Sequence, residues 1–344
     1  MDPLRPTQKD IARLAKVTQA TVSLALRDET RVAPATLARI KAAATQLGYQ
    51  PDPYLTGLSV YRKRLRPAEV RATIGWLSND ADGSSWKKSR AFVGYHEGAC
   101  DRARQLGYRL EEHCLCARGL SPERMKQILL TRGITGLLLP PQPVHHGKLE
   151  FPFDKFSVVT FGFTLAEPRL HLVTLHQFQA MDTAFTRLCE LGYRRIGLAM
   201  SEDSDLRANN NWSAAFWSRQ RRIPPRQRVP MLLPPSPGMN AGVFMDWFRR
   251  HRPDAVLSIS PEVLDWMTEA GLRVPADAGL ALLSVPDSMP RVSGITENPR
   301  VIGAKAVEYL VDLIHRGERG CPAVRLNLLV EGTWLPGRTV RAAP

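Results

Sequence analysis

Residues 7–26, "TQKDIARLAKVTQATVSLAL", contain two short helical patterns in direct succession. The first pattern begins at Thr7, and the second runs from Thr18 to about Leu26. Helices shorter than about 12 residues are marginally stable alone in water, so each must pack against a neighbour. Both patterns begin with a threonine, whose hydroxyl can accept a hydrogen bond from a free amide of the first turn. These residues predict two short capped helices within a shared small domain.

A third helical pattern supplies that neighbour. Pro34 suits the first turn of a helix, and Gly48 would end it. Each pattern presents apolar residues at helical spacing. These residues are Ile11, Ala12, Leu14 and Ala15 in the first, Val22, Ala25 and Leu26 in the second, and Leu37, Ile40, Ala44 and Leu47 in the third. We predict an all-α head with one small core.

Only Lys16 and Val17 separate the first two helices, which predicts a sharp turn between them. Such a turn leaves the outer face of the second helix projecting from the head. The major groove of DNA admits one α-helix, and a helix-turn-helix uses a projecting helix to read it. The first helices therefore predict a DNA-reading head. The alternative is a three-helix knob that contacts other proteins.

The charge of the chain favours a polyanionic partner. The formal net charge is +14, and residues 1–71 hold 13 Lys and Arg against 6 Asp and Glu. The five cysteines follow no disulfide framework and predict reduced thiols in a cytoplasmic protein. The start "MDPLRPTQKD" has no apolar core of a secretory signal, and no apolar run is long enough to span a bilayer.

From residue 72 onward, apolar runs alternate with amphipathic helical patterns. Examples are "ATIGWLS" at 72–78, "ITGLLLP" at 134–140 and "DAVLSIS" at 254–260. Alternation of strand and helix is typical of parallel sheets in α/β domains, and two rounds of it predict two similar subdomains. A ligand would bind between the subdomains, at the carboxyl ends of the strands.

The stretches "KDIARLAKVTQATVSLAL" and "RVAPATLARIKAAATQLGYQPDP" resemble the N-terminal signature of the lactose/galactose repressor (LacI) family of bacterial transcription regulators. The later stretch "AGLRVPADAGLALLSV" is similar to the late signature of that family. The resemblance implies a helix-turn-helix head joined to a type I periplasmic-binding-protein-like effector domain of two parallel-sheet subdomains. The implied domains are a head at 1–51, a hinge helix and basic linker at 52–71, an effector N-subdomain at 72–165 and 291–319, and a C-subdomain at 166–290 and 320–344.

The resemblance also implies a homodimer that binds a near-palindromic double-stranded DNA operator, usually as a repressor. The residues expected at DNA are Thr7, Lys9, Thr18, Gln19, Ala20, Thr21, Ser23, Leu24, Arg27, Tyr49, Leu58, Arg62 and Lys63. Leu58 would wedge between base pairs from a hinge helix that forms on the operator, whereas the alternative for 52–71 is a plain linker. Arg62 and Lys63 would contact phosphates.

Two positions depart from the family pattern of the head. Lys16 stands where the family usually has glycine in the turn. Leu24 stands where relatives often carry an arginine, and an apolar side chain can contact only a thymine methyl group. Base reading would then depend mainly on Gln19.

The effector pocket is less closely matched. Nine residues near predicted strand ends and helix starts are expected there, namely Trp76, Phe161, Arg207, Asn210, Asn211, Trp212, Ser260, Asp287 and Glu297. Ser260 and Pro261 replace an "ND" pair that grips sugar hydroxyls in relatives. A carbohydrate effector is therefore one option, and for Trp212 a role as a core aromatic is the alternative.

No catalytic motif appears in the chain, neither GxSxG, HExxH, a Walker loop nor GxGxxG. The "CLC" at 114–116 lacks a second ligand pair for zinc. We therefore expect no enzyme activity, cofactor or metal. Three alternatives stay open: a ligand-binding receptor without gene control, an α/β enzyme with a DNA-binding appendage, and a regulator that has lost its effector response.

Overall fold

A computed structural model of the protein describes residues 6–26, 32–49, 72–81, 83–116 and 120–342. The predicted hinge helix with Leu58, Arg62 and Lys63, and also Arg27, lie outside these residues. In the head, the helices are α1 (Gln8–Leu14), α2 (Gln19–Ala25) and α3 (Pro34–Gln46). Beyond the head they are α4 (Arg90–Gln105), α5 (Pro122–Thr131), α6 (Gln177–Glu190), α7 (Glu202–Arg207), α8 (Asn211–Gln220), α9 (Ala241–His251), α10 (Glu262–Glu269) and α11 (Pro299–Arg316).

The strands are β1 (Ala72–Ser78), β2 (Tyr108–Cys114), β3 (Gly136–Leu139), β4 (Gly147–Lys148), β5 (Ser157–Phe161), β6 (Leu165–Glu167), β7 (His171–Leu175), β8 (Ile196–Leu198), β9 (Ala255–Ser258), β10 (Gly279–Leu282), β11 (Ser293–Thr296), β12 (Asn327–Val330) and β13 (Thr333–Leu335). Short 3₁₀ helices lie at Ser85–Lys88, Phe153–Lys155 and Pro225–Gln227. Among the described residues, no helix is long and apolar enough to cross a membrane.

The three helices of the head share one core, as the sequence predicted. Ile11, Val22 and Ile40 are fully buried there, one from each helix. Leu14 and Leu26 were predicted to face this core, and that prediction was wrong, because they are 43% and 38% exposed. Leu14 is the last residue of α1 and Leu26 follows the last residue of α2, and among the described residues of the head neither joins the shared core. A head this small buries only a narrow arc of each helix.

Residues beyond the head form two subdomains, each a sheet with helices on both faces. The first subdomain is built on a six-stranded sheet in the order β12-β7-β5-β3-β1-β2, in which every pairing is parallel. Neighbouring residues of β1 face opposite sides: Trp76 joins the core with α4 and α11, while Leu77 joins the core with α5. The predicted α/β fold is confirmed.

Helices α4 and α11 pack unusually closely on this sheet. A Cβ atom on Gly98 would overlap the backbone of Arg300, and one on Gly303 would overlap the Tyr95 carbonyl. Glycine at both positions therefore lets the two backbones touch, which fixes α11 against α4. This contact also positions Tyr95 and the residues that precede α11, which matter for the cleft described below.

The second subdomain is built on a five-stranded sheet in the order β13-β11-β10-β9-β8. Its pairings are parallel except that of β13 with β11. Leu257 and Ala281 face α6 and α8, whereas Val256 and Leu280 face α9 and α10. The carboxyl ends of its parallel strands lead towards the first subdomain.

The sheets divide the chain at different positions from the predicted boundaries. His171–Leu175 and Asn327–Val330 were placed in the second subdomain by sequence, but they are strands of the first sheet. Ser293–Thr296 was placed in the first and is a strand of the second sheet. A buried strand looks the same in either sheet, so its apolar pattern could not assign it.

One buried and two half-buried histidines should make the first subdomain sensitive to acid. Burial lowers the pKa of His96, His113 and His171, and in each case a nearby glutamate opposes that shift. His171 Nδ1 accepts the backbone N–H of Leu326 at 3.0 Å, so adding a proton there breaks this hydrogen bond. The unfolded chain thus binds more protons below its histidine pKa of about 6.5, and stability falls as pH decreases through that value.

We therefore expect a lower midpoint of urea unfolding at about pH 5.5 than at about pH 7.5. His171→Gln removes one of these titrating groups and should flatten the dependence, whereas Gln46→Ala, an exposed position without a titrating group, should leave it unchanged. An unfolding midpoint that rises on acidification would contradict this assignment.

Candidate functional site

The turn between α1 and α2 projects the second helix, and Lys16 makes that turn. Its φ of 53° lies in the left-handed region, where a side chain costs on the order of 1 kcal/mol relative to glycine. The following Val17 donates its N–H to the Ala12 carbonyl at 3.0 Å, which closes the end of α1. Lysine therefore takes the conformation that glycine usually provides, and the departure from the family pattern leaves the turn intact.

The outer face of α2 is open to solvent. Thr18, Gln19 and Ala20 are exposed, whereas Thr21, Ser23 and Leu24 are half-buried. Thr18 caps the helix, since its hydroxyl accepts the N–H of Thr21 at 3.2 Å. The Gln19 amide thus stands at the exposed amino end of a short helix, where it can pair with the edge of an adenine.

The other DNA-contact candidates of the head lie around this helix. Thr7 begins α1 and donates both its N–H and its hydroxyl to Asp10, at 2.9 and 2.7 Å. The hydrogen bonds from the Thr7 hydroxyl and amide, together with Arg13, hold the pKa of Asp10 below its usual value. Lys9 is exposed, and Tyr49 packs half-buried against the head core. Thr7 and Lys9 are thus open to a phosphate, whereas Tyr49 is partly covered by the core of the head.

A cleft lies between the two subdomains and has a volume of about 610 Å³, measured with its open mouth. Both subdomains contribute side chains to its walls. The residues that line it are Phe92, Tyr95, Pro141, Gly162, Thr164, Thr174, Leu175, Gln177, Ser204, Arg207, Ala208, Trp212, Ile259 and Glu297. The mixture of aromatic walls with a few hydroxyl, amide and charged groups is typical of a site for a small polar ligand.

Arg207 joins the two subdomains across the cleft. It ends α7 of the second subdomain, and its guanidinium donates to the carbonyls of Gln142 and Pro143, at 3.1 and 2.9 Å, in the loop after β3. Burial lowers the pKa of Arg207, and the nearby Asp203 opposes that shift. Asp203 also lies 2.8 Å from His145 Nδ1 in the same loop. These contacts join α7 of the second subdomain to the loop after β3 of the first subdomain.

Glu297 places a carboxyl group in the cleft where the chain passes from β11 to α11. It precedes α11 and accepts a hydrogen bond from the Tyr95 hydroxyl at 3.1 Å. Burial raises the pKa of Glu297, although hydrogen bonds from Ser284 and Tyr95 oppose that shift. Tyr95 in turn stacks on Phe161, with ring centroids 5.3 Å apart. The cleft therefore carries both a cationic donor, Arg207, and a hydrogen-bonded carboxyl group, Glu297.

Three of the nine residues expected at the effector site line this cleft, namely Arg207, Trp212 and Glu297. The other six do not line it. Trp76 and Phe161 are fully buried behind Tyr95. Asn210, which has a left-handed backbone, and Asp287 are exposed. Asn211 donates its side-chain amide to the Ala208 carbonyl, and Ser260 donates its N–H to the Ser258 hydroxyl. Trp212 is both a core aromatic and a cleft residue, since it is 2% exposed and lines the site.

Sequence reasoning missed most of the first-subdomain wall. Phe92 and Tyr95 lie in α4, where their spacing matches an ordinary amphipathic helix and carries no signal of a ligand. Thr164 and Gln177 follow β5 and β7, so the rule of carboxyl strand ends could have found them. Ile259, and not Ser260, is the residue after β9 that reaches the cleft.

Comparison with known proteins matches both parts of this architecture. Residues 7–52 match the family model described as "Bacterial regulatory proteins, lacI family", and residues 185–338 match the "Periplasmic binding protein-like domain". The HTH-type transcriptional regulator PtxS of Pseudomonas plecoglossicida is 28% identical over 94% of this chain and 93% of its own. The HTH-type transcriptional regulator KdgR of Bacillus subtilis is 23% identical over 92% and 93%.

Solved structures show the same fold over the whole chain. The transcriptional regulator CelR in complex with cellobiose has a TM-score of 0.56 at 18% identity, and covers 97% of this chain and 100% of its own. The lac repressor dimer bound to operator and the anti-inducer ONPF has a TM-score of 0.54 at 18% identity, with 98% and 99% covered.

A helix-turn-helix head joined to a periplasmic-binding-protein-like domain defines a class of DNA-binding transcriptional regulators. The two matched models together span more than half of the chain. The chain therefore combines the DNA-binding domain of the lacI family of bacterial regulatory proteins with a periplasmic-binding-protein-like domain.

Proposed function

We propose that the protein is a repressor that binds a near-palindromic operator as a homodimer, and that its affinity for the operator changes when a small molecule occupies the cleft. The observation that carries this proposal is the pairing, in one chain, of an exposed α2 face with a cleft that Arg207 bridges from one subdomain to the other. The protein would act in the cytoplasm, where bacterial DNA lies. Recognition of the operator requires no catalysis.

At the DNA, we propose that Gln19 reads base edges, with Thr18, Ala20, Thr21, Ser23 and Leu24 beside it. Lys9 and Thr7 would contact phosphates, and Tyr49, Arg27, Arg62 and Lys63 would add contacts at the border of the site. Leu58 would wedge into the operator centre. The two-fold symmetry of a dimer accounts for the palindrome, and a structural neighbour is described as a dimer bound to operator.

In the cleft, we propose a polyhydroxylated ligand, with a carbohydrate as the first candidate. The Arg207 guanidinium can donate to ring or hydroxyl oxygens, the Glu297 carboxyl can accept from a hydroxyl, and the half-buried Phe92 ring offers an apolar surface to a sugar. One solved neighbour is described as a cellobiose complex. Ligand binding would change DNA affinity only as far as it favours one arrangement of the subdomains over the other.

The test is a panel of sugars and sugar derivatives screened by thermal unfolding of the full-length protein. A ligand that binds the folded state alone raises the unfolding temperature. Its effect on DNA affinity is then measured by anisotropy. A ligand that shifts both quantities supports the proposal. Stabilisation without any effect on DNA favours a receptor without gene control, and DNA binding with no stabilising ligand favours a regulator that has lost its effector response.

Arg207→Ala should weaken binding of that ligand about 10- to 100-fold, since hydrogen bonds to charged groups contribute about 1.5–3 kcal/mol. Removing Arg207 also removes the two hydrogen bonds that join the subdomains at the cleft. Titration calorimetry measures the change. Arg187→Ala is the matched control, because Arg187 is exposed on α6 and paired with Glu190, away from the cleft. Equal affinities for the Arg207 variant and the wild type would exclude Arg207 from the site.

A further inference from the structure

A second concavity, which we name the α8 groove, lies on the second subdomain away from the cleft. It has a volume of about 540 Å³. Its lining residues are Phe216, Trp217, Gln220, Arg221, Arg228, Val229, Pro230 and Met231. Gln220 donates to the carbonyl of Ile196, which places the groove at the amino end of β8, whereas the cleft lies at the carboxyl ends of the strands. The two sites are therefore separate.

The walls of the α8 groove are largely apolar, and one of them is an exposed tryptophan. Phe216 and Val229 form a buried floor at 0% and 2% exposure, whereas Trp217 is 55% exposed at the rim. Exposed aromatic side chains beside an apolar concavity are typical of sites that receive an anchoring side chain of a partner. The fold itself gains little from Trp217, because most of its surface stays in water.

Most of the arginines in the segment around this groove have no acidic partner among the described residues. The segment "WSRQRRIPPRQR" at 217–228 contains five arginines and no Asp or Glu. Only Arg219 is neutralised, by a bidentate pair with Asp182. Among the residues that the structure describes, no ion pair involves the other four, which are Arg221, Arg222, Arg226 and Arg228. Four uncompensated cations within eight residues repel each other, so an anionic partner would stabilise them.

Two of these arginines are held at the groove. The Arg221 guanidinium carbon lies 4.9 Å from the centre of the Trp217 ring. Arg228 donates to the carbonyls of Ile223 and Arg221, at 3.1 and 3.3 Å. Because carbonyls and an aromatic ring fix the two guanidinium groups without neutralising them, both are positioned to bind carboxylates at little entropic cost.

We propose that the α8 groove binds an acidic peptide segment of a partner protein. One large apolar side chain of that segment would occupy the groove over Phe216 and Val229, and carboxylates on either side would pair with Arg221 and Arg228. Arg222 and Arg226 would steer the approach by their charge. A nucleic acid fits less well, because Arg221 already covers a face of Trp217 on which a base would stack, and the floor offers only apolar contact.

The experiment is a selection from a library of short random peptides on the full-length protein, followed by affinity measurement with the enriched peptide. We expect enriched sequences that place Asp or Glu on both sides of a Leu, Phe or Trp. Trp217→Ala and the double variant Arg221→Ala/Arg228→Ala should each weaken binding about tenfold or more, and so should replacing the peptide acids by Asn and Gln. All replaced side chains are exposed, and equal thermal unfolding will show that the variants fold.

The matched control is Arg187→Ala/Arg249→Ala, two exposed arginines that have acidic partners elsewhere on the second subdomain, and it should bind the peptide as the wild type does. Three results would overturn the proposal. The first is an enriched peptide that lacks the acidic and apolar pattern. The second is an equal affinity of the groove variants and the control variant for the peptide. The third is a larger loss of affinity for nucleic acid of random sequence, single-stranded or duplex, than for the peptide when Arg221→Ala/Arg228→Ala is compared with the wild type.

Discussion

Ile40→Ala is expected to unfold the DNA-reading head and abolish specific DNA binding. Ile40 is fully buried where α3 meets α1 and α2, and replacing a buried isoleucine by alanine costs about 2–5 kcal/mol. A domain of this size has only about 2–7 kcal/mol of stability in total. The loss therefore removes most of the folding free energy of the head, and anisotropy with the operator should show no specific complex.

The rest of the chain should be unaffected by this change, since it has its own cores. Ligand-dependent thermal stabilisation should thus persist in Ile40→Ala. Leu14→Ala is the matched control, because Leu14 lies in the same head but is 43% exposed, so its loss should cost little. Operator binding by Ile40→Ala at wild-type affinity would show that the three helices do not depend on their shared core.

The second large effect is expected at Gln19. Gln19→Ala should weaken binding to the selected operator about 10- to 100-fold, because one lost base contact costs about 1–3 kcal/mol. Binding to random DNA should not change, and neither should the salt dependence, since glutamine carries no charge. Competition titrations at several salt concentrations measure all three quantities.

Gln46→Ala is the corresponding control, because Gln46 is an exposed glutamine at the end of α3. It should bind the operator as the wild type does. If Gln19→Ala weakens specific and random DNA equally, Gln19 contributes to general affinity and base reading must lie elsewhere on α2.

The head could be predicted from sequence nearly in full because its information is local. Cap residues, a two-residue turn and helical spacing each act within a few positions. As expected, Thr18 caps the start of α2 and Gly48 follows the end of α3. The errors at Leu14 and Leu26 arose at helix ends, where spacing no longer tells which side the rest of the chain covers. Lys16 shows that a departure from the family residue can leave the backbone geometry unchanged.

The cleft was harder to predict, because its residues are joined only by the tertiary fold. Arg207 and Glu297 are about ninety residues apart in sequence, yet both line the cleft. The sequence also could not show which strand belongs to which sheet. For this reason the predicted positions at which the chain crosses between subdomains differ from those in the structure. Tyr95 illustrates the remaining difficulty: close contact between α4 and α11 places it beside Glu297, and only the glycines at that contact hint at it.

The central claim is that this chain reads a symmetric DNA sequence through paired α2 helices. Site selection from a random DNA pool, with full-length protein at about 150 mM salt to suppress nonspecific phosphate binding, tests it most directly. We expect an enriched near-palindrome with two half-sites, whose affinity falls when Gln19 is replaced. Enrichment of no sequence, with or without cleft ligands present, or of a single asymmetric site bound by one subunit, would contradict the account.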